Sequence, residues 1–253
     1  MEKLKDKVCV ITGAAGGIGK ATAELFLSHG AKVMLVDLNE EYLKNISGSM
    51  DPDRTAFFAA DVSKLRDTKA FTEATVSRFG RIDVAFLNAG TEGKFIPISE
   101  YPEDLFDRII AVNLKGVWLG CQQIIPRMNN GGSVIITSSV AGLKGFSHLG
   151  AYVASKHGVV GIMRTAALEN ADKGIRVNSV HPGPVNNRMM RSVEEQIHPE
   201  EPSASQKDFE MAIPLKRYAE NCEVADLALF LACEDSKYIT GTTQVIDGGM
   251  FTR

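Results

Sequence analysis

Tyr152 and Lys156 stand four residues apart in the segment Ala151-Tyr-Val-Ala-Ser-Lys156, and Ser139 lies thirteen residues upstream. On a helix, residues four apart share a face, so the phenol and the ammonium point the same way. A free tyrosine, with a pKa of about 10, is a poor base at neutral pH. A nearby cation favours the phenolate and lowers that value. Tyr152 can then take the proton of an alcohol, or donate one to a ketone in the reverse direction. Ser139 can hydrogen-bond the reacting oxygen and stabilise its developing charge. Ser138 is adjacent, but the thirteen-residue spacing to Tyr152 favours Ser139.

The start of the chain offers a partner for that chemistry. Thr12-Gly-Ala-Ala-Gly-Gly-Ile-Gly19 lies between an apolar run and a helical stripe. Gly13 permits a tight turn, while Gly17 and Gly19 let backbone and helix start approach a pyrophosphate. That strand–turn–helix context marks a dinucleotide site rather than a chance glycine cluster. Asp37 follows eighteen residues after Gly19 and can accept hydrogen bonds from the adenosine ribose. It would repel a 2′-phosphate. Residue 38 is Leu rather than Arg, and no basic side chain occupies positions 14–17. The cofactor is therefore expected to be NAD, exchanging hydride with an alcohol or ketone.

These residues need elements to hold them. Short apolar runs at 8–11, 32–36, 55–59, 82–87, 133–137, 175–180 and about 244–246 read as strands. Helical patterns lie between them, at 18–28, from Asn39, at 64–79, within 102–128, from the Tyr-Lys segment to about Asp172, and at 223–233. Parallel crossovers follow from that alternation. The fold class is α/β, a single-domain Rossmann-like doubly wound parallel sheet of about seven strands with helices on both faces. Residues 186–213 break the rhythm: they are polar, contain Pro199 and Pro202, and read as a long irregular lid at the carboxyl edge of the sheet. Pocket walls are expected from 140–149 and from the lid, including Phe146, Leu149, Met189 and Met190. His148 lies near the pocket, as do Glu92, Lys94 and Phe95. Arg188 or Arg191 could pair a substrate carboxylate.

The bulk numbers narrow the field. The 253 residues carry a net charge of −3, with 44% hydrophobic and 23% charged residues. That balance attracts neither nucleic acid nor an anionic membrane. No apolar run reaches the length of a membrane span, and the charged opening Met1–Lys7 lacks a signal-like core. A cytoplasmic protein is expected. The four cysteines are well separated, which suits reduced thiols and no metal site.

The motifs together resemble the short-chain dehydrogenase/reductase family in its compact branch, over essentially the whole chain. The resemblance implies that Gly13, Gly17, Ile18 and Gly19 hold the cofactor, with Asp37 and Leu38 at its adenosine. It implies an adenine contact at Asp61-Val62, a cofactor-supporting turn at Asn88-Ala89-Gly90, and a backbone contact to the carboxamide at Val185 after Pro182-Gly183. It further implies a catalytic tetrad of Asn113, Ser139, Tyr152 and Lys156, with Asn113 holding a water that links Lys156 to solvent. Ser139, Phe146, His148 and Met189 are the candidate substrate contacts. Two positions depart from the family pattern: Leu87 replaces a frequent Asn, and Asn187 stands where a cofactor-touching threonine is common. Such proteins usually form homotetramers, and the apolar, small-residue segments 114–121 and 159–163 suit close pairing. A 3-oxoacyl-thioester reductase is the alternative enzyme, disfavoured by Asp37 and by the lack of a basic residue beside the glycines. A non-catalytic dinucleotide sensor would not need Tyr152 and Lys156, and a sugar-nucleotide epimerase would need a larger substrate domain.

Overall fold

The computed structural model describes residues 2–252. Strands and helices alternate from the start: β1 (Val8–Thr12), α1 (Gly17–Ser28), β2 (Lys32–Asp37), α2 (Glu40–Ser47), β3 (Thr55–Ala59), α3 (Leu65–Phe79) and β4 (Ile82–Leu87). There follow α4 (Glu103–Ile109), a π-helical stretch (Ile110–Lys115), α5 (Gly116–Ile124), β5 (Met128–Thr137), α6 (Gly150–Glu169) and β6 (Arg176–Pro182). The chain ends with α7 (Arg188–Ile197), α8 (Pro202–Ala212), α9 (Asn221–Ala232) and β7 (Thr243–Ile246).

The seven strands form one parallel sheet in the order β3-β2-β1-β4-β5-β6-β7. Side-chain alternation decides which residue serves which face. Cys9, Ile11, Val33, Leu35, Phe86 and Ile135 point to the side covered by α1, α2 and α9. Val10, Met34, Val36, Leu87, Val134 and Ile136 point to the side covered by α3, α5 and α6. Both sets are apolar because both faces are buried, as expected for parallel strands. Leu87 is one of them, so the departure from Asn continues the strand into the core.

After β1 the chain winds outward through β2 and β3, then returns to lay β4 on the other side of β1. That reversal opens a crevice at the carboxyl ends of the strands. The turn after β1 is fastened there. Thr12 Oγ1 accepts from the amides of Asn88 (3.0 Å) and Ala89 (3.1 Å), and Asn88 Nδ2 donates to the Thr12 carbonyl (3.3 Å).

Two expectations need correction. Residues 186–213 are not irregular but form the helical pair α7 and α8. Pro202 does not interrupt a helix; it opens α8, where a missing N–H costs nothing. Asn187 opens α7, its Oδ1 accepting from the amides of Met189 (3.0 Å) and Met190 (3.4 Å). The long helix within 102–128 is interrupted by six π-helical residues centred on Asn113. Such a bulge shifts the facing of everything after it and is common at functional sites.

Candidate active site

The crevice is a cleft of about 840 Å³. One end begins at Gly13, Gly16, Gly17 and Ile18 and extends to Asp37 and Leu38; Asn88, Gly90, Pro182, Gly183, Val185 and Asn187 line its length. Ser139, Tyr152 and Lys156 lie in it beyond the turns, and Phe146 and Met189 form part of its far wall.

The glycine turn suits an anion. Gly13 has a φ of 67°, which favours glycine. The first amides of a helix have no acceptor within it. Here Gly16 caps α1 with no side-chain hydrogen bond, and no acidic residue sits in the first turn. A Cβ on Gly17 would lie 2.5 Å from Asn221 Oδ1, so the backbone alone forms the cradle. Asp37 is held ready at the other edge, its Oδ2 accepting from the Ala15 amide (3.0 Å) and its Oδ1 from Asn39 (3.3 Å). This arrangement fits a dinucleotide: amides and helix dipole for the pyrophosphate, a carboxylate for ribose hydroxyls. Lys20 also lines the cleft, unforeseen from the turn's spacing, with its ammonium 3.8 Å from Glu24.

Ser139 sits at the end of β5 in extended backbone, and its Oγ accepts from the Ala141 amide (3.1 Å). Its hydroxyl lies 3.5 Å from the Pro182 carbonyl and also bonds the Tyr152 phenol, which places both hydroxyls at one point of the cleft. Ser138 is different: it is buried and donates to the Lys156 carbonyl (2.9 Å), joining β5 to α6. Lys156 Nζ donates to the Thr137 carbonyl (2.8 Å) and lies 5.5 Å from the centre of the Tyr152 ring.

The electrostatics differ from the expectation of a lowered tyrosine pKa. Burial pushes Tyr152 up to about 12; the Ser139 hydroxyl pulls it down and the Glu92 carboxylate adds to the rise. Burial brings Lys156 down to about 8. A shared face is not enough for mutual charge stabilisation when both groups are desolvated and the ammonium is bonded elsewhere. From the protein's own groups, Tyr152 is a protonated phenol at neutral pH, ready to act as an acid.

Several proposed contacts lie outside the cleft wall. Gly19 is packed against the Gly13 carbonyl and tightens the turn. Ala89 contributes its amide to Thr12. Asp61 accepts from the amide (2.9 Å) and hydroxyl (2.6 Å) of Ser63, and Val62 packs against Gly116. Asn113 is fully buried: Oδ1 accepts from the Thr91 amide (2.8 Å), while Nδ2 donates to the Thr91 carbonyl (2.9 Å) and to Ser155 Oγ (3.1 Å). His148 stacks on Phe95, with centroids 5.0 Å apart, and bonds Ser147. Arg191 is already engaged by Glu194 (2.8 Å) and Gln206 (2.9 Å), so a substrate carboxylate would have to displace both. No group of acidic, histidine and cysteine side chains suited to a metal occurs among the described residues. His181, one of five scattered histidines in the sequence, turns out to be buried behind Ser139.

Comparison with known proteins accounts for this geometry. A family model described as enoyl-(acyl carrier protein) reductase matches residues 13–251. Levodione reductase of Leifsonia aquatica is 38% identical over 98% of this chain and 95% of its own length. A crystal structure of levodione reductase superposes with a TM-score of 0.95 at 37% identity, covering 98% of this chain and 99% of that one. Cyclohexanol dehydrogenase of Acinetobacter sp. is 36% identical over 97% of this chain and 95% of its own. The 3-oxoacyl-acyl-carrier-protein reductase FabG of Thermotoga maritima is 38% identical over 98% and 99%. With its Rossmann-like sheet, the chain is an oxidoreductase belonging to the short-chain dehydrogenase/reductase family.

Proposed function

We propose that this protein is an NAD(H)-dependent oxidoreductase that interconverts a secondary alcohol, cyclic and largely apolar, with its ketone. The observation that carries the reading is one cleft with Ser139, Tyr152 and Lys156 in its wall and a glycine turn with Asp37 at one end. The names of two relatives, levodione reductase and cyclohexanol dehydrogenase, support a cyclic substrate.

In this proposal Gly13, Gly16, Gly17 and Ile18 hold the pyrophosphate, Asp37 the ribose hydroxyls, and Pro182 to Val185 the nicotinamide end. The nicotinamide, when bound, gives up or takes the hydride. In reduction, the Tyr152 phenol donates its proton to the substrate oxygen as the carbonyl becomes an alcohol. Ser139, whose hydroxyl bonds the phenol, turns it to the same oxygen and stabilises the charge forming there. Lys156, whose ammonium is near its own titration, then returns a proton to the phenolate left behind. Asn113 holds the Thr91 backbone and α6 in place and stands beside that route. Asp37 supports NAD over NADP, because a phosphate beside a fixed carboxylate meets repulsion.

The test is NADH oxidation with cyclohexanone, other cyclic and aromatic ketones, and acetoacetyl thioesters, for the wild type and Tyr152→Phe. Ketone turnover is expected with NADH in clear preference to NADPH, and Tyr152→Phe should lower kcat by about 10² to 10⁴-fold with NADH binding retained. Near wild-type turnover by Tyr152→Phe would overturn the acid assignment. Comparable use of NADPH would overturn the role of Asp37. Turnover confined to thioesters would favour the reading suggested by the Thermotoga relative. The same proposal places the protein in the cytoplasm as a homotetramer. Four unpaired cysteines suit a reducing compartment, and no helix among the described residues is long and apolar enough to cross a membrane.

A further inference from the structure

The substrate end of the cleft is walled by Phe146, Leu149, Met189, Met190, Val193 and Phe209. Into this apolar wall the loop after β4 sets a single carboxylate, Glu92. Its side chain is only 10% exposed. One oxygen, Oε1, lies 3.7 Å from Nη1 of Arg188, too far for a good hydrogen bond. The other, Oε2, has no hydrogen-bond partner at all. A buried carboxylate oxygen without a donor is costly, so the site is one donor short. Glu92 is also close enough to the reacting centre for its charge to act on Tyr152.

The surroundings select the donor. Arg188 is 80% exposed at the first turn of α7, and its charge already answers that of Glu92. A second cation would gain little there. A substrate carboxylate would face Glu92 and be repelled. A neutral hydroxyl group meets neither penalty and makes a hydrogen bond strengthened by the acceptor's charge. The terminal torsion of a glutamate is broad, so either oxygen can be turned to the cleft.

We propose that Glu92 is a second anchor of the substrate site, and that the preferred substrates are mostly apolar cyclic alcohols or ketones bearing a further hydroxyl group. This deepens, and rests on, the alcohol–ketone reading above. Glu92 determines specificity: it receives the second hydroxyl while Ser139 and Tyr152 receive the reacting oxygen.

The experiment compares kcat/KM for cyclohexanol with that for the 1,2-, 1,3- and 1,4-cyclohexanediols and 4-aminocyclohexanol, using NAD. Wild type, Glu92→Ala and Glu92→Gln are assayed side by side. The wild type should prefer at least one diol to cyclohexanol. Glu92→Ala should cut that preference about ten- to a hundred-fold, the range for a hydrogen bond to a charged group. Glu92→Gln keeps an acceptor and should cut it less; it also serves if the alanine variant does not fold. A diol preference unchanged in both variants, or absent from a working wild type, overturns the proposal and leaves the alcohol–ketone reading standing. A stronger preference for the amine, lost in Glu92→Ala, overturns the neutral-donor argument. No turnover of any of these alcohols by the wild type overturns both readings together.

Discussion

His181 carries no signature in the sequence, yet it secures Ser139, to which the proposed mechanism assigns the reacting oxygen. Its Nδ1 meets the Ser139 carbonyl at 2.8 Å and its Nε2 meets Ser179 Oγ at 2.8 Å. A carbonyl only accepts, so Nδ1 carries the proton and the ring is neutral, with the serine donating to Nε2. Burial holds its pKa down at about 4. Because that lies below the value near 6.5 of the unfolded chain, the unfolded state binds more protons between the two. The stabilising share is complete above pH 6.5 and lost as pH falls through 4; its size is about 3 kcal/mol. The urea midpoint of the wild type should therefore fall over this window. His181→Asn, which removes the titrating group, should give a visibly shallower slope; an unchanged slope would refute the assignment. Ser139 and Tyr152 were legible because their chemistry is carried by type and spacing. Glu92 was legible only as a residue near the pocket and His181 not at all, because what each does comes from what surrounds it.

At the level of elements, the lid is the clearest case of pattern and context. Asn187, the departure from the family's threonine, does in this structure what a threonine could also do: it caps a helix. Asn187→Ala should cost α7 about 1 kcal/mol. Faster hydrogen exchange of the Met189–Val193 amides is expected, with much of the protection regained in Asn187→Thr. Equal exchange in wild type and Asn187→Ala would show that packing, not the cap, holds the helix. That packing is substantial. Arg191, paired on its own helix with Glu194, which is 2% exposed, ties α7 to α8 through Gln206, while Met190, Phe209 and Phe146 meet around Val140, Ile213 and Tyr218. The apolar residues of this region looked scattered because they face a separate small cluster rather than the sheet. The π-helical turn at Asn113 was equally hidden. Local sequence says helix there, and only the need to seat Asn113 between Thr91 and Ser155 selects the extra residue.

The whole molecule raises the question of partners. Trp118 on α5 is 56% exposed, and Leu168 on α6 and Phe106 on α4 also leave large apolar surface in water. Of the glycines in 114–121 and 159–163, Gly116 and Gly120 are covered within the chain by Val62 and Leu87, whereas a side chain at Gly161 would meet nothing within 4 Å. The glycines of 114–121 therefore serve packing within the chain, whereas Gly161 and the exposed aromatic and aliphatic side chains are available for a second copy. Light scattering should give a mass near four times 27.4 kDa, and Trp118→Glu should shift it to a smaller species, since a charge at a buried interface is unpaired. A monomeric wild type at micromolar concentration would refute the homotetramer.

Alternation of apolar runs and helical stripes was enough to determine the seven strands and their parallel arrangement, because connection length and handedness leave few ways to join them. Residue type and spacing likewise determined the glycine turn, Asp37 and the Ser-Tyr-Lys set, since helical and strand geometry bring such neighbours together without reference to the rest of the chain. Tertiary structure alone decided the charge state of Tyr152 and Lys156, the partners of Arg191, the open oxygen of Glu92 and the burial of His181. Desolvation and hydrogen-bond satisfaction depend on groups distant in sequence, and no local pattern encodes them.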